Sequence, residues 1–543
     1  MSVSGSIEGR KYEMAKGREK SDGRIQPQGR RKTAVTAAGR SRVTGSGRGG
    51  KETTASQQVE QLGLFRETAD SPQGADGGAA AGRPASAPRA VPKSRTTTGT
   101  APPAMTMEEV ASEQNLEEAF WEVASNKGAP GPDRQSIAEV QEHLDELVPE
   151  LHRQLLDGSY RPGDIRRVWI PKAGGGQRGL GIPNVVDRLV QQAVLRVLSP
   201  NYEPTFHVSS HGFRPGRSCH TAIAEAKGYV EEGFDWLVDL DLEKFFDRVH
   251  HQRLLARLEQ KIDDRRLLDL IRRMLKAKVV MPDGVVVSNE EGTPQGGPLS
   301  PLLSNIVLDE LDRELEQRGH RFVRYADDCN IYVRSERSGQ RVMASIVSFI
   351  ERRLRLKVNR KKSAVSRPEK RHFVGFSLRR KPLDGTVEVL LSERSKGRLA
   401  DKVRELTPRN WGQSLRDCIA GINAYLLGWM GFFCVCSQAG LRTLHDTDAH
   451  IRRRLRALVL AHWKRRRHIV RQLIRHGVRP HTAWHNVYKG RRSLWALSHC
   501  PAVDHALDRA WFAGHGLVSL EQQWVVHNAT HVTAPVQLTL ALG

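Results

Sequence analysis

The stretch RFVRYADDCNIYV, Arg321 to Val333, constrains the fold more than any other. Phe322, Val323 and Tyr325 precede two adjacent acids, Asp327 and Asp328, and Ile331, Tyr332 and Val333 follow them. β-Favouring runs on both sides of a short polar break predict an antiparallel hairpin with the acids in its turn. Neighbouring carboxylates repel, and each raises the pKa of the other unless a cation neutralises them. Magnesium suits such a pair, because it takes few carboxylates and completes its shell with water and phosphate oxygens. A solvated acidic turn is the alternative, since Asp is a common turn residue.

A second acidic strand shifts that balance. In FDWLVDLDLEKFFDRVHH, Val238, Leu240 and Leu242 fall on one strand face, and Leu237, Asp239 and Asp241 on the other. Two strands that bring carboxylates to one point make a two-metal site, which aligns an attacking and a leaving oxygen at phosphorus. That is the chemistry of polymerases and nucleases.

The charge agrees. Against 61 Asp and Glu the chain carries 85 Lys and Arg, a net +24 over 543 residues, spread along its length. A phosphate-rich partner matches such a surplus, since each neutralised phosphate releases counterions. The six cysteines, Cys219, Cys329, Cys418, Cys434, Cys436 and Cys500, form no C-x-x-C pair. Neither a disulfide framework nor a zinc ribbon is expected, and a reducing compartment fits. The longest apolar run, YLLGWMGFFCVC at Tyr425 to Cys436, has the length of a buried core helix rather than a membrane span. No signal peptide is visible.

Residues 1–105 are rich in Gly, Ala, Ser, Thr, Pro and Arg and poor in large apolar residues, which predicts a disordered basic leader. It reads equally as an RNA-touching arm, an organellar transit segment or an extension without function. From about Met107 the pattern turns globular. A short helix is expected up to Gly128, then an amphipathic helix over SIAEVQEHLDELVPELHRQLLDG that stops at Gly158. Strand and helix signals then mix irregularly to about residue 380, an α+β pattern rather than a βαβ repeat. After Arg398 the chain reads as all helix. Leu415, Ile419, Ile422, Leu426, Trp429 and Phe433 form one apolar stripe. A single basic helix is predicted over HIRRRLRALVLAHWKRRRHIVRQLIR, with Arg452, Arg453, Arg454, Arg456, Lys464, Arg465 and Arg467 around an apolar face. That stretch carries no acid, which points to a nucleic-acid contact.

Several blocks together carry a resemblance. Asp241 followed by LEKFFD, GTPQGGPLSPLLSNIVLDELD at Gly292 to Asp312, and YADD at Tyr325 to Asp328 resemble successive motifs of the reverse transcriptase palm, in order. Upstream, VWIPKAGGGQRGLGIPNVVDRLVQQAV and HGFRPGRSCHTAI resemble bacterial fingers blocks. Downstream, LRLKVNRKKS and FVGF at Phe373 to Phe376 resemble the later palm and primer-grip blocks. INAYLLGWMGFF and the basic helix after it resemble the maturase, or thumb, domain of group II intron-encoded reverse transcriptases. The chain thus resembles that family, in its endonuclease-lacking bacterial form, over about residues 107–525.

The resemblance implies an α+β right-hand fold of reverse transcriptase type followed by an all-helical maturase domain. The expected divisions are the N-terminal extension and fingers at 106–235, the palm at 236–380, the thumb at 398–477, and a small nucleic-acid-touching module at 478–543. The implied activity is RNA-directed DNA polymerisation by two Mg²⁺ ions, with Mn²⁺ as a substitute, joined to binding of the host intron RNA for splicing and mobility. Implied partners are group II intron RNA, an RNA template with a DNA primer, dNTPs and target DNA, with no membrane. The implied location is the bacterial cytoplasm, unless the leader directs organellar import.

By the same resemblance Asp241, Asp327 and Asp328 are the catalytic acids, and the metals are held by Asp241, Asp327, Asp328 and the Leu242 carbonyl. Asp239 reads as structural and Asp247 as a local cap or ion pair. The dNTP would meet Lys172, Arg178, Phe246 and Gln295. Phe246 matches the ring that excludes a ribose 2′-OH, with core packing as the alternative. The family's Arg-Pro-Leu-Gly is here Arg178-Gly179-Leu180-Gly181, a departure that loosens the expected turn. Lys362 matches a proton donor to the leaving pyrophosphate, or else is a surface lysine. Phe213, Arg214 and Arg217 match a template-contacting loop that also holds Gly216. Arg452, Arg453, Arg454, Lys464, Arg465 and Arg467 are the expected RNA contacts of the thumb. His481, His485, His499 and His505 lack spaced Cys partners, so no target-strand endonuclease is expected. The competing functions are a stand-alone reverse transcriptase in defence or repair, and an RNA-binding splicing factor without polymerase activity.

Overall fold

The computed structural model describes residues 102–532 apart from 172–175, 409–411, 413 and 490–492. The leader up to residue 101 and Lys172 lie outside the described residues.

Helices Glu113–Ser125, Leu144–Leu156 and Val185–Tyr202 open the fold and bury Leu116, Phe120, Leu151, Leu155, Leu189 and Val194 together. The amphipathic stretch expected as one helix is two, Ile137–Glu142 and Leu144–Leu156, parted at His143 (φ −111°, ψ 17°). Ser136 and Glu139 close a capping box on the first of them. Gly158 ends the second in a left-handed conformation, φ +74°. Strands β1 (Ile165–Pro171) and β2 (Gln177–Ile182) form an antiparallel pair, and β4 (Val279–Val280) and β5 (Val286–Val287) extend it in the order β2-β1-β4-β5.

The central sheet has the order β6-β7-β3-β8, all neighbours antiparallel: β3 is Trp236–Leu240, β6 Arg321–Tyr325, β7 Asp328–Val333 and β8 Ala364–Ser366. Both of its faces are covered. Val238, Leu240, Phe322, Ile331 and Val333 face one core with the N-terminal helices and Ser300–Gln317. Leu237, Val323 and Tyr332 alternate into a second core. That second core holds helix Cys219–Glu231, the hairpin of β9 (Phe376–Arg380) with β10 (Val387–Leu391), and the C-terminal helices. The division expected at residue 380 therefore falls inside a hairpin.

The apolar stripe is helix Leu415–Phe433, with Ile419, Ile422, Leu426, Trp429 and Met430 buried. Among the described residues no helix is long and apolar enough to cross a membrane. All six cysteines are buried.

Two expectations for the C-terminal half are corrected. The basic helix is two helices, Leu441–Trp463 and Arg466–Arg475, separated at Lys464 (φ 57°, ψ −75°). The first begins earlier than expected and so includes Asp446 and Asp448. The segment 478–543 is not a separate appendage over its described part. Ala483, Val487, Leu497, Val503, Phe512 and Leu520 lie in the same core as the thumb helices. Asp448 accepts from the amides of Leu520 and Glu521 and from Ser519 Oγ, and Trp524 Nε1 donates to the Cys436 carbonyl.

Candidate active site

Sheet register brings the acids together. On β3, Leu240 pairs with Cys329 of β7, so the next step along each strand sets Asp241 beside Asp328. Tyr325 pairs with Asp328, leaving Ala326 and Asp327 as a two-residue turn. Ala326 takes φ +56°, a conformation alanine rarely adopts. Asp241 is clamped through its backbone: its amide donates to Ser363 Oγ at 3.0 Å and its carbonyl accepts from Asn359 N at 2.8 Å. Leu242 is buried and bridges to Val358.

Burial raises Asp327 above the usual carboxylate range, and Asp241 pushes the same way, while Arg178 opposes. Asp328 is exposed as a residue, yet burial around its carboxyl and the charges of Asp327, Asp239 and Asp241 raise it to about 7, with Arg394 opposing. Asp239 is taken by Arg371, whose Nε donates to Oδ2 at 2.7 Å, and Arg371 also binds the Lys362 carbonyl. Lys362 Nζ stands 3.4 Å from Asp241 Oδ2.

These carboxylates act on one another electrostatically, but among the described residues no group of three or more His, Cys, Asp or Glu side chains is arranged to hold a metal ion. The donor chemistry nevertheless fits a hard divalent cation: the ligands are all oxygen, and they repel in a way that such a cation relieves. Magnesium typically keeps several waters and substrate oxygens, so a closed protein cage is not what it requires.

Arg178 is exposed on β2 opposite Ile170, and its charge reaches Asp327. Gly179, in place of the family's proline, pairs with Trp169 in regular strand; a Cβ there would lie 2.7 Å from Arg167 Nη1 and 3.1 Å from the Trp169 ring. The strand is thus held by pairing and side-chain cover. Phe246 is half-buried, edge-on to Phe245 at 5.3 Å, and touches the first core. The Gln295 carbonyl accepts from Gly181 N at 2.8 Å. Gly296 (φ +131°) brings its Cα so close that a Cβ would stand 2.5 Å from the Gly181 carbonyl oxygen.

Phe213 is 42% exposed and adopts φ +61°. Arg217 is half-buried and binds the Val208 carbonyl. Arg214 is corrected: it is buried, pairs with Glu203, and donates to the carbonyls of Glu203, His207 and Ser210, so it shapes the loop rather than meeting a template. The thumb arginines divide. Arg454 binds Thr407 Oγ1 and the carbonyls of Thr407 and Arg404. Arg453 lies 4.2 Å over the Trp495 ring, and Arg452 is half-buried in the field of Asp448 and Arg509. These three are a correction to the expected RNA contacts, because their own chain engages them: Arg454 by the end of the helix Glu393–Leu406, Arg453 and Arg452 by the C-terminal segment. Lys464, Arg465 and Arg467, at the helix break, are exposed.

Three residues at the site were not anticipated. Arg394, from helix Glu393–Leu406, acts on Asp328; Ser363 fixes the Asp241 backbone; and Arg371 takes Asp239. The NRKKS block contained Ser363, but nothing local marks an arginine that acts across 132 residues.

Comparison with known proteins agrees with this geometry. Residues 170–378 match the family described as reverse transcriptase (RNA-dependent DNA polymerase), and residues 397–477 match the group II intron, maturase-specific domain. The protein YkfC of Escherichia coli strain K12 is 41% identical over 209 residues, 37% of this chain and 55% of that protein. The group II intron-encoded protein LtrA of Lactococcus lactis subsp. cremoris is 29% identical over 369 residues, 53% of this chain and 60% of that one. The uncharacterized 91 kDa protein in the cob intron of Schizosaccharomyces pombe is 39% identical over 178 residues, covering 32% and 21%. The chain therefore spans little more than half the length of the first two relatives. Its acid-bearing sheet lies within the first matched region and the stripe helix within the second, so the chain joins a region similar to reverse transcriptases to one similar to group II intron maturase-specific domains.

Proposed function

We propose that the protein is an RNA-directed DNA polymerase that also binds its host group II intron RNA to assist splicing and mobility. The observation that carries the first part is the meeting of Asp241 with the Ala326–Asp328 turn at the ends of paired strands, each acid in the field of the others. Asp241, Asp327 and Asp328 would hold divalent cations, Mg²⁺ or Mn²⁺, which when bound supply Lewis acidity and charge neutralisation at phosphorus. In the reaction a primer 3′-hydroxyl attacks the α-phosphate of a dNTP and pyrophosphate leaves. The chain's own contribution is position and charge. On this reading Arg178 grips the triphosphate and Phe246 crowds a 2′-hydroxyl. Gln295 and Gly296 support the β2 edge from below. Lys362, held by Asp241 and by Arg371 through its carbonyl, is the proton donor this reading assigns to the leaving pyrophosphate.

The second part is supported by the maturase-specific match and by the exposed cations Lys464, Arg465 and Arg467. Primer extension on an RNA template with magnesium tests the polymerase: wild type should make cDNA, and Asp327→Asn and Asp241→Asn should not. Equal cDNA yield from the variants would refute the site. Splicing of the flanking intron RNA, expected to survive Asp327→Asn, tests the maturase reading separately.

A further inference from the structure

The side chain with the fullest set of bonds near the acids is an arginine that touches no solvent. Arg324, on β6, is 0% exposed, and all five of its N–H groups are used. Nε donates to Asp312 Oδ1 at 2.7 Å, and Nη2 to Asp312 Oδ2 at 2.5 Å and to Ser210 Oγ at 2.7 Å. Nη1 donates to Asn305 Oδ1 at 3.0 Å and to the Ala326 carbonyl at 2.9 Å. One guanidinium thus joins helix Ser300–Gln317, a crossing segment at 209–212, and the catalytic turn itself.

The crossing segment grips the same turn from the other side. Its chain lies along β6, with Arg324 N donating to Ser209 O and His211 N to Arg324 O, both at 2.8 Å. The Gly212 carbonyl accepts from Asn305 Nδ2 at 2.9 Å. Gly212 packs so closely that a Cβ would stand 2.2 Å from Ala326 N and 2.9 Å from its Cα. Glu225 anchors the segment, accepting from Ser209 Oγ at 2.5 Å and lying 2.7 Å from His211 Nε2. Phe213 follows at once with φ +61°, so two left-handed non-glycine residues, Phe213 and Ala326, flank the contact. Conformations of that kind persist only where the surroundings over-determine them.

A buried ion pair is weak grounds for stability, because well-packed apolar side chains serve as well. What apolar residues cannot do is bind a turn carbonyl, a hydroxyl on a second segment and two side chains of a helix at once. We propose that Arg324 is a positioning residue for nucleotidyl transfer. With Gly212 as the spacer against Ala326, it sets where Asp327 stands and ties that position to the segment bearing Phe213. The proposal rests on the polymerase reading above.

The test uses the full chain and Gly212→Ala, Ser210→Ala, Asn305→Ala and Arg324→Lys. Three quantities are measured: single-turnover dNTP incorporation per titrated active site, primer–template affinity, and amide hydrogen exchange across 325–329. Gly212→Ala should slow incorporation about 10²-fold at saturating dNTP, the loss expected when a reacting group is displaced by about 1 Å, with primer–template affinity unchanged. Ser210→Ala and Asn305→Ala should give smaller losses, and exchange at 325–329 should rise with each. Lysine has three donors for five bonds, so Arg324→Lys should not restore the rate. If Arg324→Lys fails to fold, the other three decide. A purely structural role would lower the folded fraction while leaving the rate per active site and the exchange unchanged, and that result overturns the proposal. If wild type extends no primer, the polymerase reading fails instead, and unchanged exchange in Gly212→Ala then overturns the positioning claim on its own.

Discussion

The palm and the thumb use arginine in opposite ways. In the palm three basic side chains near the site are each paired with an acid: Arg324 with Asp312, Arg371 with Asp239, Lys362 with Asp241. In the thumb Arg454 is spent on Thr407 and backbone carbonyls, while Lys464, Arg465 and Arg467 are exposed beyond the helix break. Residue type alone does not separate these fates. A cation already bonded to carbonyls or carboxylates of its own chain has fewer donors left for a phosphate.

The largest effect expected on that contrast is at the acids. Asp241→Asn or Asp327→Asn should reduce primer extension to below about a thousandth, while RNA binding by the thumb is retained. Loss of both together would dissolve the division of labour. Next, Arg454→Ala should lower stability by about 1–3 kcal/mol, read by denaturant melting, because it leaves the part-buried hydroxyl and carbonyl of Thr407 without this partner. Exchanging Lys464, Arg465 and Arg467 for Gln should instead leave melting within about 0.5 kcal/mol. The same exchange should reduce the salt slope of intron RNA binding by up to about 2. If the two sets behave alike, the thumb is not divided as described.

A smaller effect concerns pH. Because Asp328 is raised to about 7, the native state keeps a proton that the unfolded chain releases near 4. The unfolded state therefore binds fewer protons across that window, and stability falls as pH rises from about 4 to 7, then levels. The melting advantage of Asp328→Asn should grow over the same window; an equal difference at pH 4 and pH 8 would contradict it. A last, modest effect on stability is at Gly179. Alanine there must displace the flexible Arg167 tip and crowd Trp169, costing about 0.5–1.5 kcal/mol without abolishing extension.

Much of the site was legible in the chain because its motifs are local. The acid-bearing hairpin, the Asp241 strand and the stripe from Leu415 to Phe433 each carry their pattern within about twenty residues, although Asp328, expected in the turn, begins β7 and only Asp327 shares the turn with Ala326. What could not be read was long-range. Arg214 looked like a template contact because its basic, glycine-rich loop shows charge but not the Glu203 and three carbonyls that absorb it. The acid-free stretch after His450 looked like one exposed basic helix, because Asp448 and the C-terminal helices that cover it lie outside that window.

By itself the sequence determined where strands alternate, where helices present an apolar stripe, and which acids stand at strand ends, since these depend on residue spacing of 2.0 and 3.6. Only the tertiary structure decided which cations remain available and how the catalytic turn is held. Those outcomes depend on partners as far apart as Ser210 and Arg324, or Asp448 and Leu520, brought together by the burial of two cores on either face of one sheet.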